Sequence, residues 1–301
     1  MRGDLASSPA ASQAPSRGEA VARVVACLVD SGVEPAQARD DARLLLRAAA
    51  GLTRLELAMA PDAPLTEEQA LRLSAFAARR AAREPVSRIL GARGFWTLDL
   101  AVMPNVLDPR ADTETLVETT LALVGDRNAP LSIVDLGSGS GAILCALLSE
   151  LPLARGLAVD LSPDACAATR ENLRRCGLSG RAQVVRGRWG ASLKGPFDVV
   201  VSNPPYVRAD ELLALDPEVS LHDPALALDG GADGLVCYRD IIADLGRLLA
   251  PGGLAAFEVG FDQAASVAAL LGAHGFIVER IARDAAGRDR VVAARPVRPR
   301  S

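Results

Sequence analysis

Aromatic side chains are scarce in this 301-residue chain, at 3% of its length, and histidine is scarcer, with only His222 and His274. Two histidines and five cysteines without a Cys-x-x-Cys pair argue against a structural zinc site. Cys145 and Cys166 fall in segments of helical pattern, where buried thiols of a reducing compartment are expected. Positive charge is also in deficit: the net charge is −4 and the pI about 5.4, so no global basic character recruits nucleic acid. No apolar run is long enough to cross a membrane, because Asp, Arg or Gly interrupts each one. Residues 1–17, rich in Ser, Ala and Pro, lack the apolar segment of a signal peptide and read as a disordered tail, with the cytoplasm as the expected location. What is present is an alanine-rich apolar half and 23% charge, a globular balance in a chain long enough for a full α/β domain and a smaller companion.

Residues 18–84 read as the companion, a small helical bundle. Val21, Val24, Val25 and Leu28 recur at helical spacing, Pro35 stands at a first helical position, and Thr66 with Gln69 forms a capping box. Arg79, Arg80 and Arg83 close the last helix where its dipole favours cations; a solvated helix end explains them better than a nucleic-acid contact. With no residue set of catalytic type, the bundle is expected to recognise or orient a substrate. Glu84-Pro85 ends it. Residues 85–108, with Gly91, Gly94, Phe95, Trp96 and alternating Leu98, Leu100 and Val102, read as a hairpin linker.

Residues 109–301 alternate. Apolar runs at 132–136, 156–160, 182–186, 197–202 and 254–259 read as strands with helices between most of them, the rhythm of a doubly wound, mostly parallel sheet. Two further strands lie in 276–294, and there is no internal repeat.

Two strand ends carry the chemistry. The first is Gly137-Ser138-Gly139-Ser140-Gly141, a turn in which glycines permit close backbone approach to a ligand at a helix N-terminus. Its Gly-x-Gly-x-Gly spacing and the acid before it, Asp135, which can offset a positive methionine portion, favour S-adenosylmethionine over a dinucleotide. Asp160, 19 residues past Gly141 at the next strand end, is placed to accept ribose hydroxyls, and Trp189 is placed to stack on adenine, although a Trp covering the sheet edge is nearly as good a reading. The second is Asn203-Pro204-Pro205-Tyr206. The prolines stop a β-branched strand, leaving the Asn203 amide and the Pro204 carbonyl as two acceptors for a planar –NH2 group and the Tyr206 ring to lie against it. Turn residues that merely end a strand are the bland alternative.

This tetrapeptide resembles the signature of amino-group methyltransferases. The chain from about 84 to 294 resembles the release-factor glutamine N5-methyltransferase (HemK/PrmC-type) family. The likeness rests on Gly94-Phe95-Trp96, the run from Asp108 to Glu114, the glycine loop, Ser202 to Tyr206, His222-Asp223-Pro224, Ala227 to Leu235, and Phe257-Glu258-Val259-Gly260. The block from His222 to Leu235 is the most family-specific of these. The chain departs from the family at Arg188, where an acid is usual before the Trp, and at Asp108 and Ala111.

The resemblance implies a class I S-adenosylmethionine-dependent fold and a substrate, the glutamine of the Gly-Gly-Gln loop of peptide chain release factors. It implies that Asn203, Pro204 and Tyr206 are catalytic, with Pro205 also against the substrate. It further implies that Gly137, Ser138, Gly139, Ser140, Gly141, Asp160, Trp189 and Asn203 border the cofactor. A monomer that binds neither membrane nor nucleic acid is expected. Glutamine methylation of a ribosomal protein, adenine-N6 methylation of nucleic acid and a non-catalytic cofactor-binding scaffold are the alternatives; a nicotinamide-dependent dehydrogenase is more remote, since no hydride-transfer acid or base stands out.

Overall fold

The computed structural model describes residues 14–297, which form two compact units dividing between Leu90 and Gly91. Of the expected tail, residues 1–13 lie outside the described residues. Ser16 and Arg17 do not belong to a tail, because Ser16 is the N-cap of the first helix and shares a capping box with Glu19.

The first unit contains α1 (Arg17–Asp30), α2 (Pro35–Ala50), α3 (Arg54–Met59), α4 (Glu67–Ala81) and α5 (Val86–Leu90). Pro35 opens α2 and the Thr66–Gln69 capping box opens α4, as the spacing predicts. Leu28, Leu45, Leu46 and Leu73 face one another in a shared apolar core. Residues 86–90, expected in the linker, are helical instead, and Ile89 is buried in that core. Of the three arginines only Arg80 departs from a solvated helix end; Arg79 remains exposed. Arg80 is 4% exposed and its Nε lies 2.7 Å from Oδ2 of buried Asp41, Arg79 pairs with Glu84, and Arg83 donates to the Gly32 carbonyl at 2.7 Å.

The second unit opens with an antiparallel hairpin, β1 (Ala92–Phe95) and β2 (Leu98–Ala101), followed by α6 (Glu114–Leu123). Its main part runs β3 (Ser132–Leu136), α7 (Ala142–Glu150), β4 (Arg155–Asp160), α8 (Pro163–Arg175), β5 (Ala182–Arg186), β6 (Phe197–Ser202), α9 (Pro217–Ser220) and α10 (Val236–Leu248). It closes with β7 (Leu249–Glu258), α11 (Ala264–Ala273), β8 (Phe276–Arg283) and β9 (Asp289–Pro296). The seven main strands are ordered β5-β4-β3-β6-β7-β9-β8. The first five are mutually parallel, and β9 runs antiparallel to both β7 and β8.

Successive residues of a strand point to opposite faces, and both faces are covered. Val199 and Val201 enter the core under α6, α7 and the hairpin, whereas Val200 enters the core under α10 and α11. The chain leaves β3 to one side for β4 and returns on the other side with β6. This reversal opens a crevice at the carboxyl ends of β3, β4 and β6, where open α/β sheets bind ligands.

Candidate active site

Both motif loops and Asp160 emerge into that crevice, which encloses a cavity of about 270 Å³. Gly137, Gly139, Asp160, Trp189, Asn203 and Pro205 line it, so the structure brings together six of the residues expected from sequence. Ser138, Ser140 and Gly141 lie behind this lining. The Ser138 hydroxyl is 3.1 Å from that of Thr169, the Ser140 carbonyl accepts from Asn172 at 2.9 Å, and Gly141 caps α7.

The glycine loop has its shape for a steric reason. Gly137, Gly139 and Gly141 have φ of 77°, 53° and 79°, the left-handed region that side chains avoid. A Cβ on Gly137 would stand 2.9 Å from the Trp189 ring, and one on Gly141 would stand 2.8 Å from Thr169. Trp189 itself has φ 47°, an uncommon backbone state that helps turn its ring onto the loop rather than away from it. Sequence reasoning overlooked what holds the loop from behind. The Thr169 hydroxyl donates to the Gly139 carbonyl at 3.0 Å, and fully buried Asn172 ties Ser140 to both backbone groups of Ala101 in the hairpin. Two polar residues on the buried stripe of α8 are the signal that could have found them.

The carboxylate of Asp160 accepts from the Gly139 amide at 2.8 Å and from the Ser162 amide at 2.9 Å, and burial raises its pKa despite these bonds. Asp135 does not line the cavity. It is fully buried, neither oxygen has a hydrogen-bond partner in good geometry among the described residues, and burial followed by the nearby Asp160 charge pushes it up to about 7, with the Leu144 amide opposing. Any help it gives a cationic ligand acts through space and only when it is ionised. Arg188 lines the cavity, but its guanidinium is ion-paired with Asp240 at 2.7 Å.

Asn203 lines the cavity, and its Nδ2 donates to the Thr113 hydroxyl at 3.2 Å. Pro204 is buried, and among the described residues no backbone amide donates to its carbonyl. Tyr206 does not line the cavity as expected. Its ring packs on the core under α10 and α11, burial pushes its hydroxyl up to about 12, and its carbonyl accepts from Gln263 at 2.9 Å. The physical reason is a clamp. The segment 228–231 runs beside it, Val207 donating to Leu228 and Gly230 donating back to Val207 at 2.8 Å. The contact is so close that a Cβ on Gly230 would lie 2.8 Å from the Tyr206 Cα, and one on Gly234 would lie 2.5 Å from its carbonyl oxygen. The same clamp brings Leu226, Ala227 and Asp229 to the cavity wall, joined by Val106, Leu107 and Cys237. Asp223, from the same block, is buried and ion-paired with Arg110.

Comparison with known proteins decides the family. Residues 19–91 match the family described as PrmC N-terminal domain, and residues 113–216 match the Methyltransferase small domain. A release factor glutamine methyltransferase of Caulobacter vibrioides is 46% identical over 266 residues, covering 88% of this chain and 91% of that protein. One of Rhodospirillum rubrum is 47% identical over 292 residues, covering 93% and 88%. The chain belongs to the release factor glutamine methyltransferase family. In fold it is also similar to a methyltransferase from Pyrococcus furiosus, with a TM-score of 0.50 and 16% identity over 73% of this chain and 98% of that one.

As a member of this family the chain is an S-adenosylmethionine-dependent enzyme. The site suits that cofactor: the side-chain-free cradle at Gly137 and Gly139, the Trp189 ring above it and the Asp160 carboxylate on the same wall are what a nucleoside and its amino-acid tail require.

Proposed function

We propose that this enzyme transfers a methyl group to the side-chain nitrogen of the glutamine in the Gly-Gly-Gln loop of class 1 peptide chain release factors. The observation that carries the reading is the meeting, in one cavity, of the glycine cradle with Asn203 at the end of β6. The relatives from C. vibrioides and R. rubrum, which share most of this chain's length, are named for that activity.

The bound cofactor supplies an electrophilic methyl on a sulfonium. The chain's own task is to make a poor nucleophile usable, since an amide lone pair is delocalised into its carbonyl. Asn203 Oδ1 and the Pro204 carbonyl accept the two N–H bonds of the glutamine, fix the nitrogen's orientation and favour the positive charge that develops on it. The apolar wall at Leu226 and Ala227 limits water around the reacting amide. Tyr206 contributes by fixing the backbone of the motif. We assign substrate recognition to the helical unit and release-factor binding to an enzyme acting as a cytoplasmic monomer without nucleic-acid contacts.

A transfer assay with labelled S-adenosylmethionine tests this on purified release factor and on a variant in which the loop glutamine is alanine. Label in the first protein alone is the expected result; equal label in both rules out the glutamine as acceptor. Asn203→Ala should lower transfer by at least about 100-fold, as loss of one preorganised polar group does elsewhere. Cofactor affinity, read by calorimetry, should change little.

A further inference from the structure

Asparagine poses a problem of direction. Its two amide termini are nearly isosteric, and only an oxygen facing the cavity can accept from a substrate –NH2 group. Asn203 directs Nδ2 inward, onto the Thr113 hydroxyl at 3.2 Å. A hydroxyl alone does not enforce this, because it can accept from Nδ2 or, turned round, donate to Oδ1. The direction of the Thr113 proton must be set by a third group.

That group is Glu258, at the end of β7. It is 1% exposed and stands beside Asn203 where the paired strands β6 and β7 end, Ser202 lying in register with Phe257; Thr113 and Asn203 both favour its ionised form. An ionised carboxylate has no proton to give, so it can only accept a hydrogen bond from the Thr113 hydroxyl, which leaves the Thr113 oxygen to accept from Nδ2. A protonated Glu258 donates to Thr113 and permits the reverse arrangement, with Oδ1 turned inward.

We infer that Glu258 is a positioning residue which, when ionised and acting through Thr113, holds Asn203 with its oxygen toward the substrate. This rests on the proposed role of Asn203. The other groups facing Glu258 are Arg290 of β9, Asp112 ahead of α6, Tyr206 after β6 and Tyr238 of α10, whose hydroxyl donates to the Glu258 main-chain carbonyl at 2.8 Å. Arg290 also pairs with Asp284 at 3.1 Å and Asp112 at 3.3 Å, whose charges offset part of its pull on Glu258. Burial is the largest influence and raises Glu258 to about 7, with Thr113, Arg290 and Asn203 opposing it. The switch thus falls in an accessible pH range.

The test is kcat for release-factor methylation from pH 6 to 8.5 with both substrates saturating. In the wild-type enzyme kcat should rise about tenfold between pH 6 and 8, following one ionisation. Glu258→Gln should be slower by about tenfold or more at pH 8 and flat across the range, with cofactor Kd near that of the wild type and Tm not lowered. Thr113→Val should be equally flat, and Thr113→Ser should restore the wild-type profile. A limb that persists in Glu258→Gln belongs to another group, such as Asp135, and overturns the inference, as does full activity in Thr113→Val. If Asn203→Ala is itself fully active, the reading of Asn203 fails and this inference with it. A flat wild-type profile beside an inactive Asn203→Ala overturns only the role of Glu258.

Discussion

The cofactor cradle depends on a single missing carbon. Gly137 has φ 77° and would place a Cβ 2.9 Å from the Trp189 ring, so Gly137→Ala meets two penalties at once. The left-handed backbone costs an ordinary residue about 1–2 kcal/mol, and the ring must move from where it closes the cavity. The strain weighs on folding, whereas the displaced ring weighs on binding, because loop and ring both line the site. Calorimetric titration of Gly137→Ala should show S-adenosylmethionine bound at least tenfold more weakly, with Tm lowered by only a few degrees; unchanged affinity would mean that the loop does not form the cradle. The glycines after Asp229 act differently. Gly234 would press on the Tyr206 carbonyl at 2.5 Å, so its lack of a side chain shapes the protein's own backbone rather than a ligand's berth.

At the scale of elements, α2 and α4 are joined by a contact that no linear pattern announces. Asp41 lies on the buried face of α2 among Ala38, Ala42 and Leu45. One of its oxygens accepts from Gln37 at 2.6 Å and the other from Arg80 at 2.7 Å. Removing one partner of a buried pair leaves the other charge stranded in a poorly solvated place, typically at a cost of about 3–5 kcal/mol. Urea denaturation of Asp41→Ala should therefore show a loss of that size, and Asp41→Asn a smaller one. A loss under 1 kcal/mol would place water at Arg80. Alternation of apolar runs and glycine turns made the parallel sheet, the cradle and Asn203 readable from sequence, because local periodicity and backbone sterics encode them. The Arg80 pair, the Thr169 and Asn172 supports and the inward turn of Tyr206 were not readable, because each depends on which distant element lies opposite. A polar residue on an otherwise apolar helix stripe, as at Asp41, Thr169 and Asn172, is the trace such contacts leave in a sequence.

Over the whole molecule, stability and function pull on buried charge in opposite directions. Two carboxyl groups behind the crevice, Asp135 and Glu258, are buried in a water-poor interior, each with at least one oxygen lacking a hydrogen-bond partner among the described residues. Burial raises each to about 7, from ordinary values of 3.8 and 4.5. A carboxyl whose folded value lies above its unfolded one holds more protons folded than unfolded, so folding stability falls as pH rises between the two values. The stability these groups contribute is complete below about pH 4 and is lost by about pH 7 to 8. Carboxyls shifted downward by surface partners, such as Glu19, Glu171 and Asp233, act in the other direction but titrate below this window. The ligand-free enzyme should thus lose several degrees of Tm between pH 5.5 and 8 in differential scanning calorimetry. Asp135→Asn should flatten that decline and be more stable than the wild type at pH 8 while differing little near pH 4. A variant that loses stability equally at both pH values would show that Asp135 is held by contacts rather than penalised for its charge.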